Sequence, residues 1–393
     1  MTKRGYRIAM IAACPFPCER GTPVRIYRMA EALAKRGHQV HVVTYHLGKL
    51  TSAPENLHIH RIKNIPTYRK MDPGPTPQKL LILDTLLIRR LRQLLREQPF
   101  DVIHAHHVEG LLTALSARSV QPETPIVFDV HTLLESELPF YGIGPIRSML
   151  QKIGYWIDQT VSRQADFTIT VTEIIRTRLL ELNVTTPQTS LTIPNGVEMD
   201  LFQDSRLRCR DRQDDCTVIF TGNLASYQGI EPLLQAFALL HHRRKNVRLR
   251  IVTHTSFLPY ERLAQELNIR HAIELIQDGF HAIPAWLAAS DIAINPRFEA
   301  PGLPQKTMNY MAAGLPIVSY AGSGEHLINE KTALLVYRRE PEALASALER
   351  LIDDPELAQR LGTAARHVVE NQMNWEQTAT MVENVYATVT SST

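Results

Sequence analysis

Short apolar runs alternate with stretches of helical periodicity along this chain, and the alternation starts afresh half-way. Residues 7–13 read Arg7-Ile8-Ala9-Met10-Ile11-Ala12-Ala13, an apolar run that ends in a loop rich in Pro and Cys. Residues 24–36 then place Ile26, Met29, Ala30 and Leu33 on one face at helical spacing, and Gly37 supplies the left-handed C-cap. The run at 39–44 is the next strand. A strand, a helix and a second strand at this spacing make one βαβ unit, and a series of such units builds a parallel sheet. Further buried strands are expected at 102–105, 125–130 and 167–171. Past the turn formers Ile193-Pro194-Asn195-Gly196-Val197 the pattern resumes. Strands are expected there at 217–221, 247–252, 273–275, 292–294 and 315–319, with helices at 230–241 and 261–266. The tail, 340–387, reads as largely helical with one break at Asp353-Asp354-Pro355. The expectation is an α/β protein with two parallel-sheet domains, 1–190 and 191–370, and a final segment 371–393. Parallel sheets bind ligands at the carboxyl ends of their strands, so two such sheets facing across a cleft offer two half-sites.

Several function classes are excluded at this level. Neither half carries the G-x-G-x-x-G turn of a nicotinamide or flavin domain; the first turn is Ala12-Ala13-Cys14-Pro15. The cysteines, at 14, 18, 209 and 216, are too few for a disulfide framework and complete no zinc spacing. They read as reduced thiols, with Cys14 and Cys18 beside the first strand-helix turn. Lys3 and Arg4 precede an apolar run too short for a signal peptide, and no stretch approaches 18 apolar residues, so the reading is a cytoplasmic chain without a membrane span. Residues 1–190 carry 24 Lys and Arg against 16 Asp and Glu, and residues 191–393 carry 19 against 24. The basic first half points to an anionic acceptor or surface. Residues 61–96 hold nine Lys and Arg and two acidic residues. Within and beyond them, 79–98 reads as a helix with a stripe of Leu80, Leu83, Leu87, Leu91 and Leu94 beside Arg89, Arg92 and Arg96. That pattern fits either a helix packed on the sheet or one lying on an anionic bilayer. Stacking aromatics and a nucleic-acid motif are absent, which excludes nucleic acid as the partner.

Specific motifs then appear in a fixed order: Leu33-Ala34-Lys35-Arg36-Gly37-His38, Asp101-Val102-Ile103-His104-Ala105-His106, Ile193-Pro194-Asn195-Gly196-Val197, Phe220-Thr221-Gly222-Asn223-Leu224 with Gln228-Gly229, and Tyr310-Met311-Ala312-Ala313-Gly314-Leu315-Pro316. In this order and spacing, and with Trp375 and Tyr386 in the tail, the chain resembles the retaining glycosyltransferases of family 4, which have the GT-B fold. The resemblance implies two Rossmann-like domains, the first binding acceptor and the second donor, and a last helix packed back on the first domain. It implies transfer of a sugar from a nucleotide-diphosphate donor to a glycan, lipid or small-molecule acceptor, with retention and without metal or cofactor. It places His131, at the end of the 126–130 strand, beside the donor sugar as the catalytic candidate. Gly21 and Thr22 stand where the family has two glycines, letting backbone N–H groups approach a phosphate or sugar oxygen. Gly322 and Gly324 resemble a second glycine pair before a short helix expected from Glu325. On the acceptor side the candidates are Arg20, Arg25, Thr132 and His106. His104, His106 and His107 read equally well as strand-end polar groups without chemistry.

The departures from the family pattern fall on the donor side. Where the family has an arginine and a lysine for the diphosphate, this chain has Asn223 and Gln228, and charge-assisted bonds contribute about 1.5–3 kcal/mol each. The first glutamate of the family's pair matches Glu299, but the ribose-binding one falls on Asn309, at a longer spacing. Arg297 and Lys306 are the cations near enough in sequence to compensate. Two alternatives follow: a non-catalytic sugar- or nucleotide-binding paralogue, or a transferase with a different donor.

Overall fold

The computed structural model describes residues 5–18, 21–49, 53–71, 76, 78–202, 216–298, 304–324 and 326–391. Arg20 and Glu299 lie outside them. Strands β1 (Arg7–Ala12), β2 (Gln39–Thr44), β3 (Leu57–Arg61), β4 (Val102–His106), β5 (Ile126–Val130), β6 (Phe167–Thr170) and β7 (Ser190–Thr192) form a parallel sheet in the order β3-β2-β1-β4-β5-β6-β7. Strands β8 (Cys216–Thr221), β9 (Val247–Val252), β10 (Ile273–Ile276), β11 (Ile292–Asn295), β12 (Ile317–Tyr320) and β13 (Leu334–Val336) form a second, ordered β10-β9-β8-β11-β12-β13. Each sheet runs outward from its first strand in one direction, then switches to the other side of it. The crevice for a ligand opens at that switch, between β1 and β4 and between β8 and β11.

Helices α1 (Gly21–Lys35), α2 (Asp84–Glu97), α3 (His107–Ala117), α4 (Leu134–Glu137), α5 (Pro145–Thr160) and α6 (Glu173–Glu181) accompany the first sheet. Helices α7 (Ile230–Arg243), α8 (Leu258–Glu266), α9 (Ile283–Ala288), α10 (Gln305–Ala312), α11 (Pro341–Asp353) and α12 (Pro355–Gln372) accompany the second. Helices on both faces explain why β1 is apolar at every interior position. Its side chains alternate between two cores: Ala9 and Ile11 join the α2 leucines, whereas Ile8 and Met10 join Ile26, Met29 and Leu33 of α1.

The last helix, α13 (Trp375–Ser391), belongs to the first unit. Its Ala379, Val382, Val385, Tyr386 and Val389 complete the core that α1 begins. Arg36 clamps Glu383 through two bonds of 2.7 and 2.8 Å, and His38 Nε2 lies 2.8 Å from the same carboxylate. The chain thus divides into Met1–Gly196 with Trp375–Thr393, and Val197–Asn374. This moves the expected boundaries by a few residues, because β7 pairs with β6 and α12 runs to Gln372. A second break, at Met373 and Asn374, separates α12 from α13 where one helical tail was expected.

The strands not anticipated, β3, β7 and β13, are all sheet edges. An edge strand needs less apolar character, and Leu57-His58-Ile59-His60-Arg61 shows it. The basic helix also differs from one of its two readings. Leu83, Leu87, Leu91 and Leu94 are buried in the first unit's core, so this stripe is not offered to a bilayer. A wide π-type turn over Lys79–Leu83 rotates Leu80 off the stripe, leaving it half exposed.

Candidate active site

In the second unit, packing brings separate segments to the β8–β11 switch point. Gly229 has φ +74°, and a Cβ there would sit 2.0 Å from the Pro296 carbonyl oxygen. Glycine is required on both counts, and it lets the loop after β8 lie against the loop after β11. The Tyr310 hydroxyl accepts a 2.8 Å bond from the Thr221 amide, which pins α10 under the end of β8. Lys306, one turn earlier on α10, then reaches Gln228, donating to its Oε1 at 2.6 Å. Gln228 Nε2 donates to Asn223 Oδ1 at 3.3 Å, and the Asn223 amide donates to the Tyr227 hydroxyl at 3.2 Å. The Arg297 guanidinium lies 5.0 Å above the Tyr227 ring, and the Lys306 ammonium 4.4 Å above that of Phe220.

Burial, and then the positive Arg297 beside it, push Lys306 down to about 7; burial also lowers Arg297. Two neighbouring cations, both disfavoured by burial and one of them by the other's charge, form a receptor for an anion. Asn223, Gln228, Arg297 and Lys306 are therefore one cluster. Asn309 is buried a turn beyond Lys306, and its side chain makes no hydrogen bond among the described residues. Gly322 has φ +87°. Between it and Gly324, Ser323 turns inward to bond Asn295 and Ser319. The helix expected from Glu325 is absent from the described residues after it: 326–330 form turns and a bridge of Asn329 to Ala333. The glycines thus offer loop amides, not a helix N-terminus.

In the first unit, Gly21 and Thr22 are the first residues of α1, which starts three residues earlier than its apolar periodicity suggests. A Cβ at Gly21 would meet no atom within 4 Å, so protein packing does not demand the glycine. Two acceptor candidates are corrected. Arg25 is 1% exposed and spends its donors on Asp129 (3.0 and 3.2 Å), Asn195 (3.0 Å) and the Ile193 carbonyl (2.9 Å). Its place is interior because Asp129, buried near the carboxyl end of β5, must have a counter-charge. His106 is wholly buried, with Nδ1 3.1 Å from His131 Nε2 and 3.3 Å from Asp129 Oδ2, and reaches no acceptor directly. His131 stands at the end of β5 as expected and keeps slight exposure. Thr132 Oγ1 donates to Glu137. His107 opens α3 at φ 61°, a left-handed conformation that a side chain resists, and stacks on His131 at 4.6 Å.

Nearby, the Lys79 ammonium pairs with Glu109 at 2.5 Å, and the Tyr45 hydroxyl donates to Asp84. Cys14 stands within their field, and burial pushes its thiol up to about 12, so it is no nucleophile. Among the described residues, His104, His106 and Asp129 hold ligand atoms close enough to surround a cation. Arg25 already occupies both carboxylate oxygens, so a metal ion there would face a fixed positive charge. Sequence reasoning missed Asp129, Tyr227 and Tyr386. Asp129 had a signal: one charge inside Ile126-Val127-Phe128-Asp129-Val130 is seldom buried without a partner.

The fold and these two switch-point sites define a class, the glycosyltransferases of GT-B fold. The sucrose-phosphate synthase of Thermosynechococcus elongatus matches with a TM-score of 0.79 at 20% identity, over 99% of this chain and 100% of that one. Anabaena HepE, solved with UDP and glucose, matches with 0.72 at 15% identity, over 97% and 99%. The family models Glycosyltransferase Family 4 and Glycosyl transferases group 1 match residues 20–201 and 215–354. The chain belongs to glycosyltransferase family 4 and is an enzyme of that kind. Its relatives include the D-inositol 3-phosphate glycosyltransferase of Corynebacterium aurimucosum, 25% identical over 97% of this chain and 96% of the relative. The MMP alpha-(1->4)-mannosyltransferase of Mycolicibacterium hassiacum is 27% identical over 93% and 94%.

Proposed function

We propose that the enzyme transfers a sugar from a nucleoside-diphosphate donor to a hydroxyl of a small anionic acceptor, with retention and without a metal. The carrying observation is the Arg297–Lys306 cluster at the β8–β11 switch point. It provides two cations and two amides where the family's arginine and lysine are replaced, which answers the part of the non-catalytic reading that rests on Asn223 and Gln228. The cations hold the diphosphate and take up the charge that grows on it as the glycosidic bond to phosphate breaks. The acceptor oxygen forms its bond on the face that the diphosphate leaves, and its proton passes to the departing phosphate oxygen. By the family resemblance His131 and the open backbone at Gly21 are the first unit's sugar contacts; in the second unit the loop amides meet the nucleotide. The acceptor class rests on the basic first half and on the sugar- and polyol-phosphate names of the relatives.

Calorimetric titration with UDP, ADP and GDP tests the donor site. At least one should bind, and Arg297→Ala or Lys306→Ala should weaken it about tenfold or more. Unchanged affinity in both variants rejects the cluster as the phosphate site. Turnover with a lipid-phosphate sugar alone would favour the different-donor alternative.

A specific surface also supports peripheral contact with an anionic bilayer, on α5 in place of α2. Ile146, Met149, Ile153 and Trp156 recur along one exposed face of α5, preceded by Phe140 and Ile143, the latter 88% exposed. Arg147 and Lys152 are exposed on the same helix, whose one acidic residue, Asp158, is buried. Apolar residues beside cations fit anionic lipid better than a second copy of the same basic face. The protein should sediment with phosphatidylglycerol vesicles at low salt, but not with phosphatidylcholine alone, and Ile153→Glu with Trp156→Glu should abolish this. A dimer dissolved by the same pair, without vesicle binding, would count against it.

A further inference from the structure

Asp129 is the hub of a buried chain of side chains that reaches from α13 to His131. The Tyr386 hydroxyl lies 2.6 Å from His104 Nδ1, and His104 Nε2 lies 3.8 Å from Asp129 Oδ2. On the other side, His106 Nδ1 is 3.3 Å from the same oxygen and 3.1 Å from His131 Nε2. Asp129, His104, His106 and Tyr386 are each 0% exposed, so no solvent proton is at hand to relieve a bad contact.

These contacts decide where the protons sit. Burial is the largest influence and opposes the charge on Asp129, but Arg25 and the surrounding histidines together outweigh it and hold the carboxyl well below its usual range; it is an acceptor only. Were His106 Nδ1 bare, its lone pair would be set against that carboxylate oxygen in a sealed interior. Nδ1 therefore carries the His106 proton and offers it to both neighbours. His131 Nε2, the second of these, has to accept. Burial pushes His106 down to about 3 and leads the influences that hold His131 well below the imidazole range, so both rings are neutral. A neutral ring whose Nε2 accepts has its one proton on Nδ1. The Tyr386 hydroxyl donates to His104 Nδ1. His104 Nε2 and His131 Nε2 both lie 3.8 Å from Asp129 Oδ2, too far for a hydrogen bond, so the 3.3 Å His106 contact is the one that orders the protons.

We infer that the Asp129–His106 pair locks His131 in its Nδ1–H tautomer, so that it presents a hydrogen-bond donor, and not a proton-accepting base, to the substrate. His131 Nδ1 makes no hydrogen bond to a described residue, which leaves it for a sugar oxygen. His106 is then a positioning residue. The functional half of this rests on the reading of His131 as the donor-sugar contact; the tautomer does not.

Two-bond nitrogen–proton correlation spectra of the 15N-labelled protein read the tautomer directly, with His131 assigned by its loss in His131→Gln. The wild type should show a protonated Nδ1 and a bare Nε2 at His131. In His106→Leu the pattern should shift toward Nε2–H, and kcat for donor turnover should fall about tenfold or more with little change in KM. His106→Asn, whose amide N–H takes the place of Nδ1–H, should restore both. An Nε2–H His131 in the wild type, which needs no variant to fold, overturns the inference; so does an unchanged tautomer in His106→Leu. Full turnover in His131→Ala, with the tautomer as expected, would instead sink the functional reading of the histidine.

Discussion

Lys306 is the residue on which binding and stability pull in opposite directions. Its ammonium is held near pH 7 by burial and by Arg297, well below an ordinary lysine. The folded state binds fewer protons here than the unfolded chain, so this residue's contribution to stability improves as pH rises from about 7 toward the ordinary lysine range. Lys306→Met should accordingly raise stability at pH 7 by about 1–3 kcal/mol, read as a higher melting midpoint, while it weakens nucleotide binding about tenfold or more. Binding carries the opposite sign. A diphosphate set against the ammonium raises its pKa, so binding above pH 7 takes up a proton. Nucleotide affinity should be highest below about pH 7 and fall by up to about tenfold per unit above it. Titrations at pH 8 in buffers of different ionisation enthalpy should show the uptake in the wild type and not in Lys306→Met.

Among the elements, α13 depends on a few contacts for its place. Its apolar face completes the α1 core, and the partly buried Glu383 ties it to Arg36 and His38. The Arg36 bonds hold Glu383 down at about 2. A carboxylate depressed in this way stabilises the fold above its unfolded pKa and loses that contribution as pH falls toward about 2. Glu383→Gln should lower stability by about 1–2 kcal/mol at pH 6. Calorimetry should find that difference closing as pH approaches 2. At β5 the effect of one charge is larger. Arg25→Leu leaves Asp129 buried and unpaired, and should destabilise the first unit by about 3–5 kcal/mol; hydrogen exchange would place the loss in β1, β4 and β5.

At the scale of the molecule, the two units differ in how the chain builds them. The second is continuous from Val197 to Asn374, whereas the first needs the returning helix from Trp375 onward. A chain ending at Gln372 should expose Ile26, Met29 and Leu33, lose protection over β1–β7, and keep it over β8–β13. Exchange or limited proteolysis reads this, and equal loss in both units would contradict it.

Local pattern determined much of this protein. The alternation of apolar runs and helical periodicity was enough for two parallel sheets, because strands covered on both faces must be apolar throughout. It failed at β3, where an edge strand alternates apolar with polar residues, and at β7 and β13, which at three residues each are too short to leave that mark. Motif order was enough for the family, and the substitutions at Asn223, Gln228 and Asn309 were visible as departures. Only the tertiary structure decided what compensates for them. Lys306 meets Gln228 across 78 positions because Tyr310 pins α10 beneath β8 and Gly229 lets two loops touch. Likewise, Arg25 looked like a surface candidate until Asp129, 104 residues away, drew it inside. Periodicity records which face of an element is buried, but a charge's partner is set by contacts between elements distant in sequence, and those exist only once the sheets have formed.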